Sequence, residues 1–189
     1  MSEVETEQPS WGFHVRFRNE APLHLDVLAT YIIGLQDLVW VAAASDVIPE
    51  VTREAAASPE YKTKILAKAV DHANKTASSA YARRVSYDSP LEVVFYIGAA
   101  SGVVLPIGYQ LLGLYDKFLD ARAKKADTDL RVTALRLLED RLRAAEGEHD
   151  FGVLTEMFPG AQSRVTQGSA ALSAIESLDV IERPDQEQH

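Results

Sequence analysis

After ten residues the chain settles into a strict alternation. Trp11, Phe13, Val15 and Phe17 are large and apolar, whereas Gly12, His14, Arg16 and Arg18 are small or polar. A period of two predicts a strand with one buried face. The period then lengthens: Leu25, Leu28, Ile32, Leu35 and Val39 recur every three or four residues and predict a helix over 22–44. From Leu38 to Ala44 this helix is apolar all round, so it is expected to be deeply buried, and the Ile48-Pro49 step is expected to end it. Ile65, Leu66, Ala69, Val70 and Ala73 form a narrow stripe beside Lys62, Lys64, Lys68 and Lys75, which predicts a second helix over 59–79. A short strand is expected over 83–87.

From Val93 to Tyr115 there is no charged residue. The preceding Ser89-Pro90-Leu91-Glu92 reads as a helix start, with Ser89 as N-cap, Pro90 at the first helical position and Glu92 three residues after the cap. One long apolar helix near 90–115 is therefore expected. It is long enough to cross the roughly 30 Å hydrocarbon core of a bilayer. A membrane span is the leading reading. The others are a buried helix of a soluble bundle, and a hairpin broken at Gly102–Gly108 around Pro106. Gly98 and Gly102 form G-x-x-x-G, a spacing that lets two helices approach closely. They are the candidates for helix association, against the plainer reading of packing within the chain.

Beyond Asp116 the pattern turns amphipathic and predicts a polar helix ending near Ala145, with Phe118, Leu119, Leu130, Leu137, Leu138 and Leu142 on its apolar side. A loop is expected over 147–160. A last helix is expected over 162–178, with Val165, Leu172, Ile175 and Leu178 on one face. The fold class is α+β and mainly α-helical, with two or three short strands and about five helices. Residues 11–181 form a single domain carrying the apolar segment 93–115; 1–10 and 182–189 are acidic flexible tails. A strand leading into Pro22-Leu23 and another into Pro90-Leu91 hint at an internal repeat, although the Pro-Leu pair alone is shared. Two short strands make a marginal sheet, so either helices cover it or strands of another chain complete it.

Charge changes this picture little. The net charge of −9 comes mostly from the ends: Glu3, Glu5 and Glu7 at one, five carboxylates from Glu176 onward against Arg183 at the other. The body is nearly neutral, and no basic patch suited to a phosphate backbone is present, so no nucleic-acid partner is expected. The absence of cysteine excludes disulfides and thiolate chemistry. The acidic N-terminus lacks the pattern of a cleaved signal, and Asn74-Lys75-Thr76 is read as a chance sequon.

Catalytic signals are weak throughout. The histidines show no metal-ligand spacing, and no G-x-S-x-G nucleophile turn occurs. Glu148-His149-Asp150 falls in the expected loop, and Asp71-His72 on the polar side of its helix. No catalytic, cofactor or metal site is assigned, and no small-molecule ligand is identifiable. The leading expectation is a non-enzymatic interaction or assembly protein, membrane-associated with cytoplasmic portions, with self-association or a protein partner and membrane lipid as its contacts. The alternative is a cytoplasmic adaptor or structural subunit whose apolar helix is buried in a homo- or hetero-oligomer.

Overall fold

Strand β1, Trp11–Phe17, keeps the alternation read from its sequence: Trp11, Phe13, Val15 and Phe17 are fully buried. The computed structural model describes residues 10–18, 25–57, 62–86, 90–98, 104–124, 129–146 and 160–182. Expectations for 1–9, Ser89, Gly102, the segment around His149 and 183–189 lie outside them; Glu182, expected in the tail, ends the last strand. Among the described residues there are five helices and a four-stranded antiparallel sheet, so the fold is α+β and mainly helical. After β1 come α1 (Leu25–Ala57), α2 (Lys62–Ser78), β2 (Ala80–Ser86) and β3 (Leu91–Ile97), then α3 (Val104–Lys124), α4 (Leu130–Glu146), α5 (Ala161–Ala174) and β4 (Ile175–Glu182).

The strands lie in the order β2-β3-β1-β4, each antiparallel to its neighbours. Thus β1 and β2 are parallel with β3 between them, and β3 and β4 are parallel with β1 between them. These are two interlocked split βαβ units, the first crossing over through α1 and α2 and the second through α3, α4 and α5. The hinted repeat expected a helix after Pro90-Leu91, where the chain instead enters β3; Pro22-Leu23 lies outside the described residues.

Several expectations are revised. The uncharged run is not one helix, because Val93–Ile97 belongs to β3 and the helical part begins at Val104. Glu92 is therefore a strand residue and caps no helix, while Gly98 follows the end of β3 and forms no helix–helix motif. The stretch Val93–Ile97 carries no charge on either face of its strand, so its composition matches that of a buried helix. Helix α1 runs through Pro49 to Ala57, since a proline removes one helical hydrogen bond without forbidding the rest. The polar helix expected after Asp116 is divided between the end of α3 and α4. Residues 175–178, expected in the last helix, open β4.

The helices cover the inward face of the sheet. Phe17 stacks on Tyr31 of α1 with centroids 4.6 Å apart, and Trp11 meets Tyr109 of α3 edge-on at 5.0 Å. Helix α1 is the axis of the helical layer and packs on α2, α3, α4 and α5. Its Leu38–Ala44 stretch is buried as its composition requires. Leu25–Val47 is long and apolar enough to cross a membrane, but most of it is buried within the chain, as the core helix of a soluble protein also is.

Two glycines allow an unusually close approach. A Cβ at Gly34 of α1 would lie 2.6 Å from the Ala171 Cβ of α5 and 2.9 Å from the Gln167 carbonyl. A Cβ at Gly108 of α3 would overlap the buried Trp11 indole. Gly113, on the same helix, has open space. Gly34→Ala and Gly108→Ala should each lower stability by about 1–3 kcal/mol, the usual cost of overpacking. Gly113→Ala should raise it by roughly 0.5–1 kcal/mol through helix propensity alone. Urea unfolding would check these opposite signs. Similar small effects at all three positions would mean that α1 and α3 do not sit so close to their neighbours.

Candidate functional site: the outer face of the sheet

Because β1 and β3 turn their large apolar residues toward the helices, their alternate residues form a second face. On β1 these are Gly12, His14 and Arg16; on β3, Glu92, Val94 and Tyr96, in register with them. Solvent reaches this face: the side chains of His14, Arg16 and Glu92 are 28%, 43% and 33% exposed. Tyr81 and Arg84 of β2 are in register with Tyr96 and Val94, and Asp179 of β4 with His14.

A β-bulge shapes the β2 edge. The register with β3 shifts between Ala82 and Arg84, so Arg83 is the extra residue. Its guanidinium lies 5.6 Å from the centre of the Tyr96 ring, on the outer face, where Arg84 also stands. Two consecutive arginines thus share a face that regular alternation would have split. Tyr81 stacks on Tyr96 with centroids 5.9 Å apart, and under this cover Tyr96 is buried although it points away from the helices.

At the centre, Glu92 joins the two middle strands. Arg16 donates from Nη2 to Glu92 Oε1 at 3.0 Å and from Nε at 3.3 Å, while His14 Nε2 lies 3.3 Å from Oε2. The Arg16 hydrogen bonds, with help from His14, hold the Glu92 carboxyl below the usual carboxylate range against the opposing effect of desolvation. Glu92 is a fixed anion near neutral pH, which suits a cross-strand tie better than proton transfer.

A second polar cluster lies inside the helical layer. Asp37 of α1 is almost fully buried and accepts a 2.9 Å hydrogen bond from Arg164 Nη1 of α5. Arg164 Nη2 also donates to Asn74 Oδ1 of α2 at 3.3 Å, and Trp40 Nε1 donates to the same oxygen at 3.0 Å. The guanidinium sits 5.4 Å from the Trp40 ring centre. Asn74, read as part of a chance sequon, is therefore a node joining three helices. Asp37 had a signal in the sequence, being the one charged residue between Val27 and Ser45. Its neighbours Arg164, Asn74 and Trp40 had none, because they are far apart in the chain.

Among the residues singled out from sequence, Glu92 is on the outer face, Gly98 lies beside Ser79, and Ser89 and Gly102 are outside the described residues. Asp71 is exposed and bridges Lys75 at 2.7 Å, but the adjacent His72 is half-buried with Nε2 enclosed. Among the described residues no group of three or more histidine or carboxylate side chains converges as metal ligands. The chain matches no family model, no curated protein and no solved structure.

Burial raises the Asp37 carboxyl from 3.8 to about 6, against the pull of Arg164. Between these values the folded state keeps a proton that the unfolded state has released. The contribution of Asp37 to stability is therefore full below pH 3.8 and lost as pH rises through about 6. Glu92 acts in the opposite sense, stabilising above its ordinary value of 4.5 and losing that contribution as pH falls below it. Subtracting unfolding free energies of Asp37→Asn from those of the parent between about pH 4 and pH 7 isolates the first group. The parent's relative stability should decline across that window. A flat difference would show that Asp37 titrates normally.

Proposed function

We propose that the protein is a non-enzymatic interaction or assembly protein, an adaptor or structural subunit, whose contact surface is the outer face of the sheet. One observation carries the reading. The helices lie against one side of the sheet, and the other presents Tyr81, Arg83, Arg84, Tyr96, His14 and the Arg16–Glu92 pair. Tyrosine and arginine combine broad contact area with directional hydrogen bonding, and both are enriched in protein–protein interfaces. The proposal drops the membrane helix first expected at 93–115, because that run is divided between β3 and α3 and contributes Val93, Phe95, Ile97, Ile107, Leu111 and Leu114 to the core.

A second reading, membrane association, is favoured by a different helix. At the N-terminal end of α1, Leu25, Val27 and Ile33 are 76%, 36% and 47% exposed, within the segment long enough to span a bilayer. Fractionation after carbonate and high-salt washes separates the readings. The adaptor reading expects the chain in the supernatant without detergent; retention in the pellet until detergent is added would favour membrane association.

The contact surface is tested in the cell with a photo-crosslinking amino acid at Tyr81, and at Val132 on α4 as the comparison. Both side chains are exposed, on β2 and in the helical layer respectively. Discrete adducts are expected from position 81 and not from 132. Equal adducts at both, or none at 81, would overturn the assignment.

A further inference from the structure

The outer face is polarised from edge to edge. Its β2 side carries Arg83 and Arg84, exposed; its β4 side carries Asp179, exposed. Between them Arg16 and Glu92 neutralise one another. Among the described residues neither Arg84 nor Asp179 has an ion-pair partner, although they share one register level: Arg84 opposite Val94, Val94 opposite His14, His14 opposite Asp179. Such a pattern is complementary to itself under one kind of rotation and not under another.

If two copies meet face to face about a twofold axis parallel to the strands, each β2 lies over the partner's β4. Each Arg84 then faces an Asp179 at the same level, and the pairing occurs twice. A twofold axis across the strands would instead stack β2 on β2, arginine on arginine. The strand-parallel arrangement also lays each β1 over a β3. That sets Arg16 against a second Glu92 and places Gly12, which has no side chain, opposite Tyr96 at the same level. Strands of seven or eight residues, four abreast, make a face of about 19 by 23 Å. This is at the small end for a specific interface, so a weak, salt-sensitive association is expected from it.

We propose that the outer sheet face binds a second copy of this chain about a twofold axis parallel to the strands, with Arg84 of each copy paired to Asp179 of the other. The inference rests on the outer face being the contact surface, and it names the occupant.

The test is sedimentation velocity of the full chain over a concentration series, at low salt and at about 0.5 M salt. The parent should form dimers at low salt that weaken at high salt. Arg84→Glu and Asp179→Lys should each weaken association by about tenfold or more, because each replaces two attractive contacts by two repulsive ones. Mixing the two variants should restore dimers as a heterodimer. The doubly reversed chain, Arg84→Glu with Asp179→Lys, should dimerise with itself. Arg136→Glu with Arg143→Glu, exposed on α4, should leave association unchanged. Unaltered thermal unfolding would confirm that the single variants are folded.

A parent that stays monomeric at every concentration, a dimer indifferent to either reversal, or reversed variants that do not rescue one another would each overturn the inference. Adducts from position 81 to a different protein, with the purified chain monomeric, would overturn the inference and leave the proposed contact surface standing. Absence of both adducts and dimers would remove both.

Discussion

The described elements are arranged around a strand that has a neighbour on each side and helices on one face. β1 pairs with β3 along its whole length and with β4 across two register shifts, which satisfies the backbone on both its edges. Its inward row is then committed. Trp11, Phe13 and Phe17 are too large to share that face with solvent, so the helical layer must close over them. Trp11 sets the closest approach, because α3 can lie across the indole only where Gly108 lacks a side chain. The polar outer row, with Glu92 tied to Arg16 and His14, is the necessary complement of that inward commitment.

The parts that were legible in the sequence are those with an undisturbed period. β1 alternates without interruption, and the apolar positions of α1 and α2 recur at helical spacing. The two edge strands were harder, and bulges explain why. In β4 the register shift around Glu176 separates the inward residues Ile175 and Leu178 by three positions, a spacing that also fits one side of a helix. In β2 the shift at Arg83 does the same to Ala82 and Val85. A bulge adds one residue and thereby converts a strand's period of two into something locally helical. Part of β2 was still recognised; β4 was absorbed into the helix that precedes it.

The uncharged run from Val93 to Tyr115 carried a different ambiguity. Lack of charge reports burial, and burial inside a bilayer, a helical core or a central strand produces the same composition. The partners of the run decided among these, and they lie elsewhere: β3 pairs with residues near 12 and near 82, and α3 rests on Trp11. The same reasoning applies to the polar clusters. His14 and Arg16 were visible as the outward positions of a strand, but their meeting with Glu92 depends on a register that joins residues 76 positions apart. Arg164 and Asp37 are 127 apart. Local pattern assigns each residue to a face; which residues meet there is a property of the topology.

The interlocked strand order also governs how the chain comes together during synthesis. β1 is made before every other described element, but its two edges stay unpaired until β3 and, last, β4 have emerged, because Phe13 pairs with Phe95 and with Val180. At typical elongation rates this leaves β1 waiting on the order of ten seconds. Until β3 emerges, the row Trp11, Phe13, Val15 and Phe17 has no sheet to join. Helices α1 and α2 are complete much earlier and pack on each other, so they are the local structure able to shelter it. The first crossover is thus a nascent-chain refuge for the strand that precedes it, as well as a connection between β1 and β2.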